Sequence, residues 1–197
     1  MKIKVAILTT VFMFAALTTA TAAPIYTFPI AGCTVKYGKY HHDYPATDID
    51  AKKGCAFVAP IAGVVDEVNT VDKWSGKTNK GADRGGLSVS IIGVDGIRYY
   101  GSHLSKIEAN VIPGLKVASG DKLGEIGASG SAKGTAPHLH FGISYPTQKG
   151  IWWVKRGVGL ESKGKTSPWK YLQAWQAGSD LKPKVVTPAT IPAEPKK

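Results

Sequence analysis

Apolar and polar residues alternate most clearly at two places along the chain. Leu87, Val89 and Ile91 are separated by Ser88 and Ser90, the period-two pattern of a half-buried strand. Asp95-Gly96 then reads as a hairpin turn, and Ile97 to Gly101 as the returning strand, with His103 expected at its end. The second place is His138 to Tyr145. There Leu139, Phe141 and Ile143 share one face of a predicted strand, while His138 and His140 share the other. Phe57 to Val68 is apolar but interrupted by Pro60 and Gly63, which predicts two short strands with a turn between them. The stretch from Pro113 to Gly127 is punctuated by glycine, with a turn at Gly120-Asp121, and Ala128 to Ala136 reads as small and flexible. Tyr26 to Tyr40 reads as irregular and poor in strand. Helical signals come only late: Ser167 as cap, Pro168 at the first position, Trp169 to Gln176 as the body and Gly178 as the stop. These elements predict a mainly β chain with one short C-terminal helix and no internal repeat.

The ends read differently from the middle. A basic start at Met1 to Lys4, an apolar run from Val5 to Leu17 and the small residues Ala20-Thr21-Ala22 predict a signal peptide over residues 1–22. The apolar run is short for a bilayer span; a retained anchor is the alternative reading. Residues 23–178 are then expected to form one folded domain, outside the cytoplasm in the periplasm or secreted, and residues 179–197 a disordered Pro/Lys-rich tail. No stable membrane insertion is expected after signal cleavage.

The formal charge is +11, which favours anionic partners, meaning wall polymers or lipid head groups for an exported protein, or serves solubility alone. A nucleic-acid partner is not expected, because the aromatics do not interleave with the basic residues and no binding module is present. The long polar stretch from Asn69 to Gly86, carrying Trp74, is expected to form a cleft wall or lid.

Cys33 and Cys55 are the two cysteines. In an oxidising compartment such a pair reads as a disulfide that closes a loop and contributes about 2–4 kcal/mol. A pair of zinc thiolates is the competing reading, weakened by the absence of a Cys-x-x-Cys pairing. The disulfide would brace the segment that carries His41, His42 and Asp48.

All five histidines fall in three clusters: His41-His42, His103, and His138 with His140. Imidazole is the commonest side-chain ligand of zinc and titrates near neutral pH. A strand that places His138 and His140 together makes either a metal site or an ordinary exposed polar face. Asp48, brought back toward His42 by the turn-forming Tyr44-Pro45-Ala46, adds the carboxylate common in catalytic zinc sites, which use three protein ligands and keep one open position. Two imidazoles would remain to move protons and meet a developing oxyanion. There is no His-Glu-x-x-His helix, and no serine sits in a nucleophile elbow.

The segments His41 to Asp50, Gly54 to Val65, Tyr100 to Ser105 and Pro137 to Gly142 stand in the order found in the M23 (lysostaphin/LytM-like) peptidases, which the chain resembles from about His41 to Tyr145. The resemblance implies a single antiparallel β-sheet or sandwich-like domain (the duplicated hybrid motif) with a groove. It also implies one Zn2+ per chain and hydrolysis of peptide bonds in peptidoglycan stems or cross-links. Asp48 and His140 resemble zinc ligands, His138 the general base, and His103 the imidazole that assists it and stabilises the oxyanion. The first ligand falls in an expanded His-His-Asp-Tyr-Pro-Ala-Thr-Asp segment that departs from the common spacing: His42 is expected, with His41 as the alternative or as an outer support. A monomer is expected. A non-catalytic wall-binding or amidase-activating relative is the alternative function.

Overall fold

The computed structural model describes residues 25–39, 41, 45–146 and 168–185. The expected signal peptide, His42 and the Ser167 cap lie outside the described residues. No helix among them is long and apolar enough to cross a membrane.

Ten strands form one antiparallel network: β1 (Ile30–Ala31), β2 (Val35–Tyr37), β3 (Thr47–Ala51), β4 (Ala56–Val58), β5 (Gly63–Asn69), β6 (Leu87–Gly93), β7 (Arg98–Ile107), β8 (Lys116–Val117), β9 (Lys122–Ile126) and β10 (His138–Ser144). One path runs β1-β4-β9-β7-β10-β3-β2, and β6, β5 and β8 branch from β7. The alternation read in the sequence sets the faces. Leu139, Phe141 and Ile143 of β10 are fully buried, as are Val89 and Ile91 of β6, and they pack with Ile49, Phe57, Tyr99, Leu104 and Ile126 in one core. The Asp95-Gly96 hairpin closes as expected, with Gly96 at a φ of 78°.

Two expectations differ. The segment expected to be poor in strand supplies β1 and β2, which are too short to show alternation and are formed by pairing with β4 and β3. His103 does not end its strand: β7 continues through it to Ile107. The register between β6 and β7 passes from Ser88 opposite Ser102 to Leu87 opposite Leu104, so His103 is the extra residue of a bulge. Its φ is 66°, a left-handed conformation that is costly for a residue other than glycine. Before the bulge β7 pairs with β10, and after it with β9. The bend redirects the strand at the histidine.

The helix α1 (Trp169–Gln176) buries Tyr171, Leu172 and Trp175. Trp175 stacks on Tyr26 at 5.1 Å between ring centroids. The hydroxyls of Tyr26 and Tyr99 both donate to Asp95 Oδ2, at 2.8 and 2.6 Å. Burial, reinforced by that carboxylate, pushes both phenols well above the usual tyrosine range. Ser179 to Val185, at the start of the stretch expected to be disordered, instead packs on this end of the domain. Trp175 Nε1 donates to Leu181 O at 3.0 Å, and Lys184 N donates to Tyr171 Oη at 3.1 Å. These aromatic partners explain why a segment of disorder-prone composition is held there.

Candidate metal centre and cleft

Asp48 lies on β3 opposite His140 on β10. This pairing across the sheet brings a carboxylate from early in the chain to an imidazole from late in it. His140 Nδ1 and Asp48 Oδ1 are 2.8 Å apart. The third member is His41, whose Nε2 is 3.7 Å from Asp48 Oδ2 and whose ring meets that of His140 edge-on at 5.0 Å. One ligand atom from each of His41, Asp48 and His140 lies within 4.8 Å of the others. Tetrahedral zinc with bonds of about 2.0–2.2 Å sets its ligand atoms about 3.4 Å apart, so small adjustments would seat the ion. Two imidazoles and one carboxylate are also a donor set that suits zinc. The residues fit the metal. Of the two histidines offered as first ligand, His41 is the described one, and it lies beside Asp48 and His140.

Electrostatics keep this carboxylate charged. Burial alone would raise its pKa, but the His140 hydrogen bond and the imidazoles of His140, His41 and His138 outweigh burial and hold it at about 2. Asp48 is thus an anion at neutral pH, as a metal ligand must be.

His138 and His103 stand next to the three, with ring centroids 4.9 Å apart, and His103 is 5.9 Å from His140. His138 Nδ1 is 2.9 Å from Ala136 O, and His103 Nδ1 is 2.8 Å from Ser129 O. A carbonyl only accepts, so each Nδ1 carries its hydrogen and each neutral ring presents the Nε2 lone pair. His103 is fixed further by its backbone N–H, which donates to Gly85 O at 2.9 Å. Burial, with the His140 and His138 imidazoles alongside, lowers its pKa to about 3. As a neutral acceptor His103 must first gain a proton before it can donate to an oxyanion.

All five side chains line one cleft of about 610 Å³. Its walls include two loops that sequence reading treated unequally. The 69–86 stretch forms part of the wall, as expected, through Asn79, Arg84 and Gly85. The 128–136 loop, expected to be flexible, is ordered around a 3-10 turn at Gly130–Ala132 and strapped to the first loop by Asp72, whose carboxylate accepts from Gly130 N at 3.0 Å and Lys133 Nζ at 2.9 Å. Gly86 (φ 58°) and Gly130 (φ 64°) cross so closely that a Cβ on Gly86 would stand 2.3 Å from Gly130 N. Only glycine permits that approach. The sequence reading did not single out Ser102, Arg84 or Asn79. Ser102 Oγ is buried in the cleft wall with no hydrogen-bond partner, and its residue faces His140 across the β7–β10 pair. The hydroxyl is left for whatever fills the cleft. Its signal was its position beside the histidine, visible only once the strands were paired.

The disulfide is present between Cys33 and Cys55, 22 residues apart. It closes the loop containing His41 and Asp48, and neither cysteine is available as a thiolate ligand.

Comparison with known proteins agrees with this architecture. No curated protein matches the chain. Among solved structures, a Ruminococcus gnavus protein named as a glycyl-glycine endopeptidase lytM is 22% identical with a TM-score of 0.56, over 79% of this chain and 62% of that one. The antimicrobial peptidase lysostaphin from Staphylococcus simulans is 24% identical with a TM-score of 0.52, over 83% of this chain and 61% of that one. This chain spans about three-fifths of each, and the likeness is one of fold. The model of peptidase family M23 matches residues 42–151, a stretch that holds Asp48, His103, His138 and His140. With that match spanning more than half of its length, the chain belongs to peptidase family M23.

Proposed function

We propose that the protein is an exported zinc endopeptidase that hydrolyses peptide bonds of peptidoglycan, with the metal held by His41, Asp48 and His140. The observation that carries this reading is the convergence of His41, Asp48 and His140 within 4.8 Å, with His103 and His138 adjoining them in one cleft. Family membership supports peptide-bond hydrolysis, the sequence resemblance supports a peptidoglycan substrate, and the basic charge suits an anionic wall.

Zinc bound there would polarise the scissile carbonyl and activate water as the nucleophile. The chain's own residues supply the rest. His138 and His103, each fixed through Nδ1 on a backbone carbonyl, present Nε2 as proton acceptors. The half-exposed His138 is the better placed to take a proton from water entering the cleft. Once protonated, the same nitrogen becomes a donor for the leaving amine. His103, 4.9 Å away by ring centroid, shares the proton that His138 takes from water and in that form steadies the developing oxyanion before the proton passes to the leaving amine.

Replacing His138 or His103 with alanine is expected to lower kcat by about 10²–10⁴-fold while one zinc per chain remains bound. Turnover of a cross-linked muropeptide, together with elemental analysis of the same samples, reads both quantities. Loss of zinc in either variant would place that histidine among the ligands; unchanged kcat would remove it from proton transfer.

A further inference from the structure

Arg84 is the one permanent cation among the described residues lining the cleft. Two other cations near the sheet have carboxylate partners: buried Arg98, whose Nε is 2.8 Å from Asp66, and exposed Lys133, whose Nζ is 2.9 Å from Asp72. Arg84 has none among the described residues; its side chain makes one hydrogen bond, from Nε to Asn79 Oδ1 at 3.0 Å. The terminal nitrogens are thus left with their donors unengaged, and a guanidinium matches a carboxylate in shape and charge.

The surroundings hold this group rather than merely tolerate it. Asn79 adopts a left-handed φ of 44°, its N–H donates to Ser75 O at 2.8 Å, and its Oδ1 also lies 3.3 Å from Trp74 Nε1. Asp72 pins Trp74 N at 3.1 Å and reaches across to the 128–136 loop. The Arg84 carbonyl accepts from Ser131 N at 2.9 Å, and the next carbonyl, Gly85 O, accepts from the His103 backbone. These bonds fix the Arg84 backbone beside the proton-handling histidine, and the Nε bond to Asn79 restrains its side chain, which lowers the entropic cost of binding a ligand there. Asp50 lines the same cleft with an opposing charge, so an anionic group is favoured at Arg84 and disfavoured beside Asp50.

We propose that Arg84, positioned by Asn79, binds a free carboxylate of the peptide substrate next to the bond that is cut. The substrate class is then an acidic stem-peptide cross-link and not a glycine bridge, whose internal residues carry no carboxylate. This assignment rests on the peptidase reading above and deepens it.

The test uses the zinc-loaded full chain and a pair of synthetic cross-linked stem peptides, one with a free carboxylate beside the cross-link and one with that group as the carboxamide. Wild type is expected to favour the carboxylate by about 10- to 100-fold in kcat/KM, chiefly through KM. In Arg84→Gln the ratio should fall to near one, in Arg84→Lys to an intermediate value, and in Asn79→Ala it should shrink with Arg84 still present. A wild-type ratio near one, or an unchanged ratio in Arg84→Gln, overturns the proposal. Calorimetric affinities for the same pair, with and without Arg84→Gln, read the ratio without turnover. If nothing is cut yet the affinity ratio depends on Arg84, the carboxylate site stands and the peptidase reading falls. If both peptides are cut with no Arg84-dependent ratio, the reverse holds.

Discussion

Replacing His140 with alanine is expected to remove zinc and peptide cleavage together. His140 Nδ1 lies 2.8 Å from Asp48 Oδ1, and the residue is almost fully buried between β3 and β7. Loss of an outer partner of a ligand costs about 10–100-fold in metal affinity, so loss of a ligand itself should exceed 100-fold. Zinc content should fall from one ion per chain to a trace, and kcat/KM should fall in proportion. Alanine also leaves a cavity and an unpaired Asp48 carboxylate, so the metal-free forms should be compared for folding by near-ultraviolet circular dichroism. A folded His140→Ala protein that keeps zinc or keeps cleaving would contradict the assignment.

Removal of the disulfide is expected to have the largest effect on stability. Cys33 and Cys55 close a 22-residue separation, for which the loop-entropy account gives about 3 kcal/mol. The Cys33→Ser/Cys55→Ser protein should therefore unfold at a urea concentration lower by about 1–3 M. Metal-free protein is needed for this comparison, because bound zinc adds its own stabilisation to the folded state. The closed loop also contains His41 and Asp48, two of the three proposed ligands. Zinc affinity of the double variant should fall as well, since ordering those residues is then charged to metal binding. An unchanged urea midpoint would show that pairing with β3 and β4 orders this segment without the covalent link.

Much of the β framework was legible because its strands bury one face. The alternation of Leu139, Phe141 and Ile143 against His138 and His140 defined β10 and pointed two imidazoles the same way. The late helix was legible from Pro168, which caps its start, and Gly178, which follows its C-terminal cap at a φ of 75°. Less could be read where pairing, not local pattern, decides the structure. Strands β1 and β2 are two and three residues long and exist through their partners. The bulge at His103 arises because β7 changes neighbours there, a fact of the sheet that no local pattern shows. The order of the 128–136 loop comes from Asp72, far away in sequence.

The candidate site follows the same division. The residue types were legible as a histidine and carboxylate set, and the β3–β10 register explains why Asp48 meets His140. No period in the sequence from His41 to Asp48 favours His41 or His42 as the first ligand. Arg84 escaped notice as one lysine- or arginine-type charge among 25 on a basic chain. It stands out only when its neighbours show that it has no carboxylate partner among the described residues.

The most direct test of the central claim is digestion of purified peptidoglycan by the zinc-loaded protein, with the products read by mass spectrometry and by labelling of new amines. A zinc endopeptidase should release muropeptides heavier by one water per cut, each cut exposing one free amino terminus, with no new reducing sugar ends and with release stopped by a chelator. Intact peptidoglycan after incubation with protein that carries one zinc per chain would contradict the account and point to a wall-binding or amidase-activating role.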